Sequence, residues 1–207
     1  MTLGFTVLAV LSLTALHVRR QQAEAATYLQ ELYERGRFAE NSRSYLGLQK
    51  AKAVYTMAIE RDPEYALGYA GLAGVYGFMA DYAFAPVEPA LDTARMMAMR
   101  AIQYGDDISD VHMARGVTLG DAHEFDVAER AFQRAIELDE TNGRAHYWYG
   151  VLLVALGRGA EGLEQIRLAE KHDPFPVRGL TAMGRYAQWE IDGTRARRHR
   201  IRERRRG

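Results

Sequence analysis

The sequence predicts an all-helical chain organised as an array of antiparallel helix pairs, and three observations predict it. Small residues recur every 34 positions: Ala101, Ala135 and Ala169 (in RAIQYGD, RAIELDE and LAEKHDP), Gly116, Gly150 and Gly184, and Ala94, Ala128 and Gly162. The 207 residues include only five prolines, alanine is abundant, and β-branched runs are few. Alanine or glycine at the recurring places lets two helix backbones approach within about 8–10 Å. A fixed period of this length marks a repeat architecture, in which each pair leaves apolar surface that only the next pair covers.

The first element is Met1–Val18, MTLGFTVLAVLSLTALHV, which has no charged residue apart from a protonatable His17 and is followed by Arg19 and Arg20. As a helix it is about 27 Å long, close to the roughly 30 Å of bilayer hydrocarbon. The expectation is a single-pass membrane anchor over residues 1–20. A signal peptide is the first alternative, with an A-x-A at Ala23–Ala25 but no basic start and two arginines after the apolar core. A buried soluble helix is the second, and the lack of a polar face counts against it. Arg19 and Arg20 would keep the chain after them cytoplasmic.

The array itself is expected over residues 21–194, with units at 29–65, 66–108, 109–142 and 143–176 and a further first helix at 177–191. Ala58 precedes Ala101, and Ala51 precedes Ala94, by 43 residues, one period plus nine. The extra nine are placed in the loop Phe78–Pro89. In the first helix of the second unit, ALGYAGLAGVYGF, glycine stands at 68, 71, 74 and 77. Each step of three turns about 60° around the axis, so Gly68 and Gly71 fall toward the packed side and Gly74 and Gly77 toward the concave one.

Charge divides the chain. Residues 1–194 hold 19 Lys+Arg against 26 Asp+Glu, a balance of −7, whereas 195–207, an Arg-rich tail, holds eight arginines against Glu203, a balance of +7. With no cysteine there is no disulfide framework and no thiolate metal site.

These residues resemble the tetratricopeptide repeat. Tyr69, Leu72, Ala73 and Tyr76, and the glycines at 116 and 150, match its first helix; Ala128, Phe132 and Ala135 match its second, and Pro63 and Pro174 its terminal proline, from which Asp106 and Glu140 depart. The resemblance implies a right-handed superhelical solenoid with a concave groove. The run ERDPEYALGYAGLAGVYGFMADY and AHYWYGVLLVALGR are similar to the repeat region of bacterial membrane-anchored regulators, which join such an array through one membrane helix to an adenylate-cyclase, winged-helix or kinase domain. That architecture would place the array across the inner membrane from its effector. It opposes the orientation read from Arg19 and Arg20, so the side of the membrane stays open.

Catalytic chemistry is not expected. The six histidines lack the i,i+4 spacing of a metal box, and His112 and His146 occupy one repeat place, 34 apart. Asp106, Asp107 and Asp110 are read as capping a helix that starts near Ser109. No nucleophile motif is present, so neither metal nor cofactor is expected and an enzyme is the last reading.

The resemblance implies instead a partner-binding groove lined by Leu67, Gly74, Gly77 and Phe78, then Met113 and Val117, then Tyr147, Val151 and Val154. The lysines, arginines and asparagines of carboxylate-clamp arrays are missing from the matching places. An apolar or aromatic protein segment is therefore the expected partner, with cover by a second copy or by the chain's own superhelix as the alternative. The function expected is a non-catalytic, membrane-anchored interaction scaffold. A ligand-sensing module split from a larger bacterial signalling protein is the runner-up. The tail could hold nucleic acid or an anionic membrane surface, but a truncated or accidental end is the stronger expectation, and nucleic acid is not the expected partner.

Overall fold

The computed structural model describes the backbone of residues 2–172 and side chains from residue 16. Among these residues there are eight helices and no strand: α1 (Thr2–Glu40), α2 (Tyr45–Arg61), α3 (Ala66–Asp81), α4 (Val87–Tyr104), α5 (Ser109–Asp121), α6 (Phe125–Leu138), α7 (Gly143–Ala155) and α8 (Gly159–His172). Neighbours pack in hairpins, α1 on α2, α3 on α4, α5 on α6 and α7 on α8. The odd-numbered helices also touch in succession, α1 on α3, α3 on α5 and α5 on α7, so they form one layer and the even-numbered helices the other.

The second, third and fourth hairpins start at Ala66, Ser109 and Gly143, and the junctions show why. Asp62 and Asp139 lie at equivalent helix ends, and each carboxylate accepts a backbone N–H two residues on, from Glu64 at 3.0 Å and Thr141 at 2.9 Å. This turn stops one helix and launches the next, as short polar side chains do by competing with the helix ladder. His112 and His146, one repeat place, each bring Nε2 to the carbonyl six residues back, Asp106 at 2.7 Å and Glu140 at 3.0 Å.

Glycine and alanine set the packing distances. A Cβ on Gly116 would stand 2.8 Å from the Phe132 ring, and one on Gly150 would stand 2.8 Å from the carbonyl of Gly162 on the facing helix. Ala94, Ala101, Ala128 and Ala135 are wholly buried. The Tyr55 ring passes between α1 and α3 at Gly36 and Gly71, where any side chain would collide with it.

Two expectations change here. The nine extra residues do not form a loop: α3 has 16 residues against 13 in α5, α4 has 18 against 14 in α6, and the turn between them is two longer. Helix extension hydrogen-bonds the added backbone internally, which a long loop cannot do. Asp110 does not cap α5, whose start has no side-chain cap; its carboxylate turns inward and accepts from Tyr33 and Asn142.

α1 is one helix of 39 residues, about 58 Å long. Among the described residues no helix is long and apolar enough to cross a membrane. The expected anchor falls mainly on residues 1–15, whose side chains lie outside the description, as do the first helix expected at 177–191 and the tail at 195–207.

Candidate functional site

The inner layer closes on itself. Glu40, the last residue of α1, is 3 % exposed and accepts a hydrogen bond from Tyr55 Oη at 3.0 Å. Its other oxygen meets Arg144 of α7 at 3.4 Å, across 104 residues of sequence. Beside this pair, Tyr33 Oη donates to Asp110 at 2.7 Å, and Asn142 Nδ2 donates to the second Asp110 oxygen at 2.9 Å and to Ser109 Oγ at 2.8 Å. Units one, three and four thus meet at one polar cluster. It borders a cavity of about 20 Å3, whose wall includes Gly74, Met113 and Val117. That is room for about one water molecule, not a peptide.

The charges there are mutually adjusted. Burial works against the Arg144 charge, but Glu40, Tyr33 and Asp110 outweigh it and raise the guanidinium pKa. Burial likewise opposes the Asp110 carboxylate, yet Arg144 and the hydrogen bonds from Tyr33 and Asn142 leave its pKa below the usual value. Tyr33 and Tyr55 are pushed well above the ordinary phenol by burial first, then by Asp110 and Glu40 respectively. Charged Arg144 and Asp110 are therefore held among neutral phenols, with Glu40 bonded to both Tyr55 and Arg144, an arrangement that fixes geometry.

Beyond this cluster lies an aromatic cage. The turn between α1 and α2 carries Arg43 at φ 49, a left-handed conformation that non-glycine residues adopt rarely. Its guanidinium carbon sits 3.6 Å from the centre of the Phe78 ring and 5.7 Å from that of Trp148, and the two rings are 5.9 Å apart. Asp81 and Asp121 end α3 and α5 nearby. Burial raises both carboxyl pKa values; Arg43 opposes the shift at Asp81, and Asp81 adds to that of Asp121, which reaches about 6. Outside the cage the surface continues as Tyr82, Phe84 and Tyr45, with ring centres 5.8 and 5.6 Å apart.

The residues expected to line an open groove are distributed differently. Phe78, Met113 and Tyr147 are 4 %, 4 % and 2 % exposed, because Arg43, Trp148 and the inner helices cover them. Tyr147, Val151 and Val154 pack with Ile166 and Ala169 of α8, and Leu67 packs against the cluster shared by α3, α4 and α5. Gly74 and Gly77 do face inward, but a Cβ at Gly74 would stand 3.5 Å from Glu40, and one at Gly77 would stand 3.4 Å from Asp121. The space they leave is met by carboxylates of the chain itself. Sequence reasoning missed Glu40, Arg43, Arg144 and Trp148, since none belongs to the repeat pattern.

Among the described residues no group of three or more His, Asp or Glu side chains could hold a metal ion. The stacked hairpins define the tetratricopeptide class of fold. No protein-family model and no curated protein matches the sequence. Solved structures do: TTC0263, a thermophilic TPR protein of Thermus thermophilus, superimposes with a TM-score of 0.56 at 22 % identity, over 69 % of this chain and 73 % of that one. YrrB, described as a TPR protein with an unusual peptide-binding site, gives 0.41 at 28 % identity over 67 % and 66 %, and MamA gives 0.43 at 15 % over 73 % and 92 %. The likeness to the Thermus protein shows the fold.

Proposed function

We propose that the chain is a non-catalytic interaction scaffold whose partner is a protein segment, held at the mouth of the inner layer rather than along an open groove. The observation that carries this reading is the exposed aromatic edge of Tyr45, Tyr82 and Phe84, which are 54 %, 47 % and 38 % exposed and adjoin a buried cation cage. Aromatic side chains supply large contact area at small conformational cost, which suits them to recognition. Anchoring through residues 1–20 in a bacterial inner membrane is part of the proposal. From Val18 to Glu40, α1 advances about 33 Å, and an anchor at residues 1–20 would leave the aromatic edge at the far end of that helix.

Partner capture from native membranes tests the reading. Full-length protein should recover a partner that a Tyr82→Ser, Phe84→Ser variant of unchanged helicity does not. Equal recovery would refute it. For the anchor, full-length chain should stay in membranes and a chain starting at Gln21 should be released.

One observation favours the sensing alternative. The helix that carries the apolar N-terminal segment also ends in Glu40, inside the polar cluster. A ligand that displaced Glu40 would move the end of that same rod, so a sensor in the manner of the bacterial regulators would have its coupling element in α1.

A further inference from the structure

The cage at Phe78 and Trp148 is built for a planar cation and is occupied from within. Arg43 lies over Phe78 at 3.6 Å, the distance of a stacked guanidinium. The occupant is not well matched to its seat. Its backbone sits at φ 49, a left-handed conformation that costs a non-glycine residue energy and that an arginine entering from elsewhere would not need to adopt. Asp81 interacts with Arg43, and Asp121 in turn with Asp81. Asp81 and Asp121 stand at the negative ends of α3 and α5, where a further cation is favoured, and one buried arginine does not offset both.

The sequence contains a segment of the complementary chemistry. Residues 195–207 hold eight arginines and no lysine, against a body with an excess of seven acids. Arginine, unlike lysine, stacks on aromatic faces, and three exposed faces, Tyr45, Phe84 and Tyr82, stand in contact, with Tyr82 near enough to Arg43 to interact with its charge. The 22 residues between His172 and Arg195 can reach about 70 Å when extended, so the segment can return from the end of α8 to the mouth of the inner layer.

We propose that the Phe78–Trp148 cage, with Asp81 and Asp121, is a guanidinium-binding site whose ligand is an arginine of the chain's own 195–207 segment, from the same molecule or a second copy, which replaces Arg43. This rests on the scaffold reading and deepens it, because the segment then competes with any partner for the aromatic mouth.

The chain is well suited to a direct test, having no cysteine and only two tryptophans, Trp148 and Trp189. In a Trp189→Phe background, a Gly207→Cys chain labelled with a short-range quencher should show quenched Trp148 emission at low salt. Reversing the tail charge (Arg204→Glu, Arg205→Glu, Arg206→Glu) should relieve the quenching severalfold, as should Asp81→Asn with Asp121→Asn. Arg43→Gln should deepen it by removing the competing cation, with far-UV circular dichroism confirming an intact array. Absence of quenching, or quenching indifferent to tail charge or to Arg43, would overturn the proposal. Far-UV circular dichroism of the tail variant matching the parent keeps its result apart from unfolding of the array. Partner capture is measured separately, and its success or failure leaves this readout unaffected.

Discussion

Tyr55 shows how single residues specify this molecule. Its ring needs two glycines, Gly36 and Gly71, to pass between α1 and α3, and its hydroxyl ends on Glu40. Gly74 is different, since a Cβ there meets only the Glu40 carboxylate at ordinary contact distance. Gly74→Ala should therefore stabilise the helix by up to about 1 kcal/mol, the difference in helix propensity. Gly74→Leu should instead cost about 1–3 kcal/mol by overpacking a cavity of about 20 Å3. Urea denaturation of both variants checks the pair of signs. On sequence alone, leucine at this place is expected to raise stability, because the inward neighbour is not visible there. Asp121 provides a pH test. Its native pKa of about 6 lies above the unfolded value, so between about pH 4 and 6 the native state binds the extra proton, and this group's contribution to stability falls as pH rises through that window. Asp121→Asn should gain stability over the parent at pH 7.5, and the gain should shrink toward pH 4, as read from denaturation midpoints.

At the scale of elements, the hairpin crossings carry the repeat. Ala135 is fully buried near the end of α6, and its carbonyl accepts from Ser109 Oγ at 2.7 Å, joining the end of one helix to the start of α5. Ala135→Leu should cost about 1–3 kcal/mol, whereas leucine at the adjacent exposed Arg134 should change little. Thermal melts of the two variants measure the contrast, and equal shifts would mean that the crossing lies elsewhere. The helix pairs were legible because the spacing of Ala101, Ala135 and Ala169 reports a contact made within each hairpin. The placing of the nine extra residues was not legible, since Tyr82–Pro86 reads as a turn whichever flanking helix is lengthened.

Over the described residues, the feature that departs from a simple solenoid is the link between its first and fourth units. Repeats in such arrays touch only their neighbours, and stability is then a sum of local terms. Here Glu40 reaches Arg144, and Arg43 reaches Trp148, so the first unit holds the fourth. Arg144→Met should destabilise the array by about 3 kcal/mol, because it leaves Glu40 buried without its counter-charge. Adding Glu40→Gln should recover part of that loss, and a denaturant double-mutant cycle gives the coupling. Additive effects would show that the pair does not clasp the array.

The sequence by itself determined the helices, their pairing in hairpins and the places of close approach, since each follows from contacts within 34 residues and from the size of one side chain. It also separated an acidic body from a basic end, which is a matter of counting. Whether the inner face is open or filled was decided only by the tertiary structure. That outcome depends on small rotations between successive hairpins, accumulated over four units until the turn after α1 comes against α7. Arg43, Glu40 and Arg144 acquire their roles through that accumulated geometry, and no local pattern of residues encodes it.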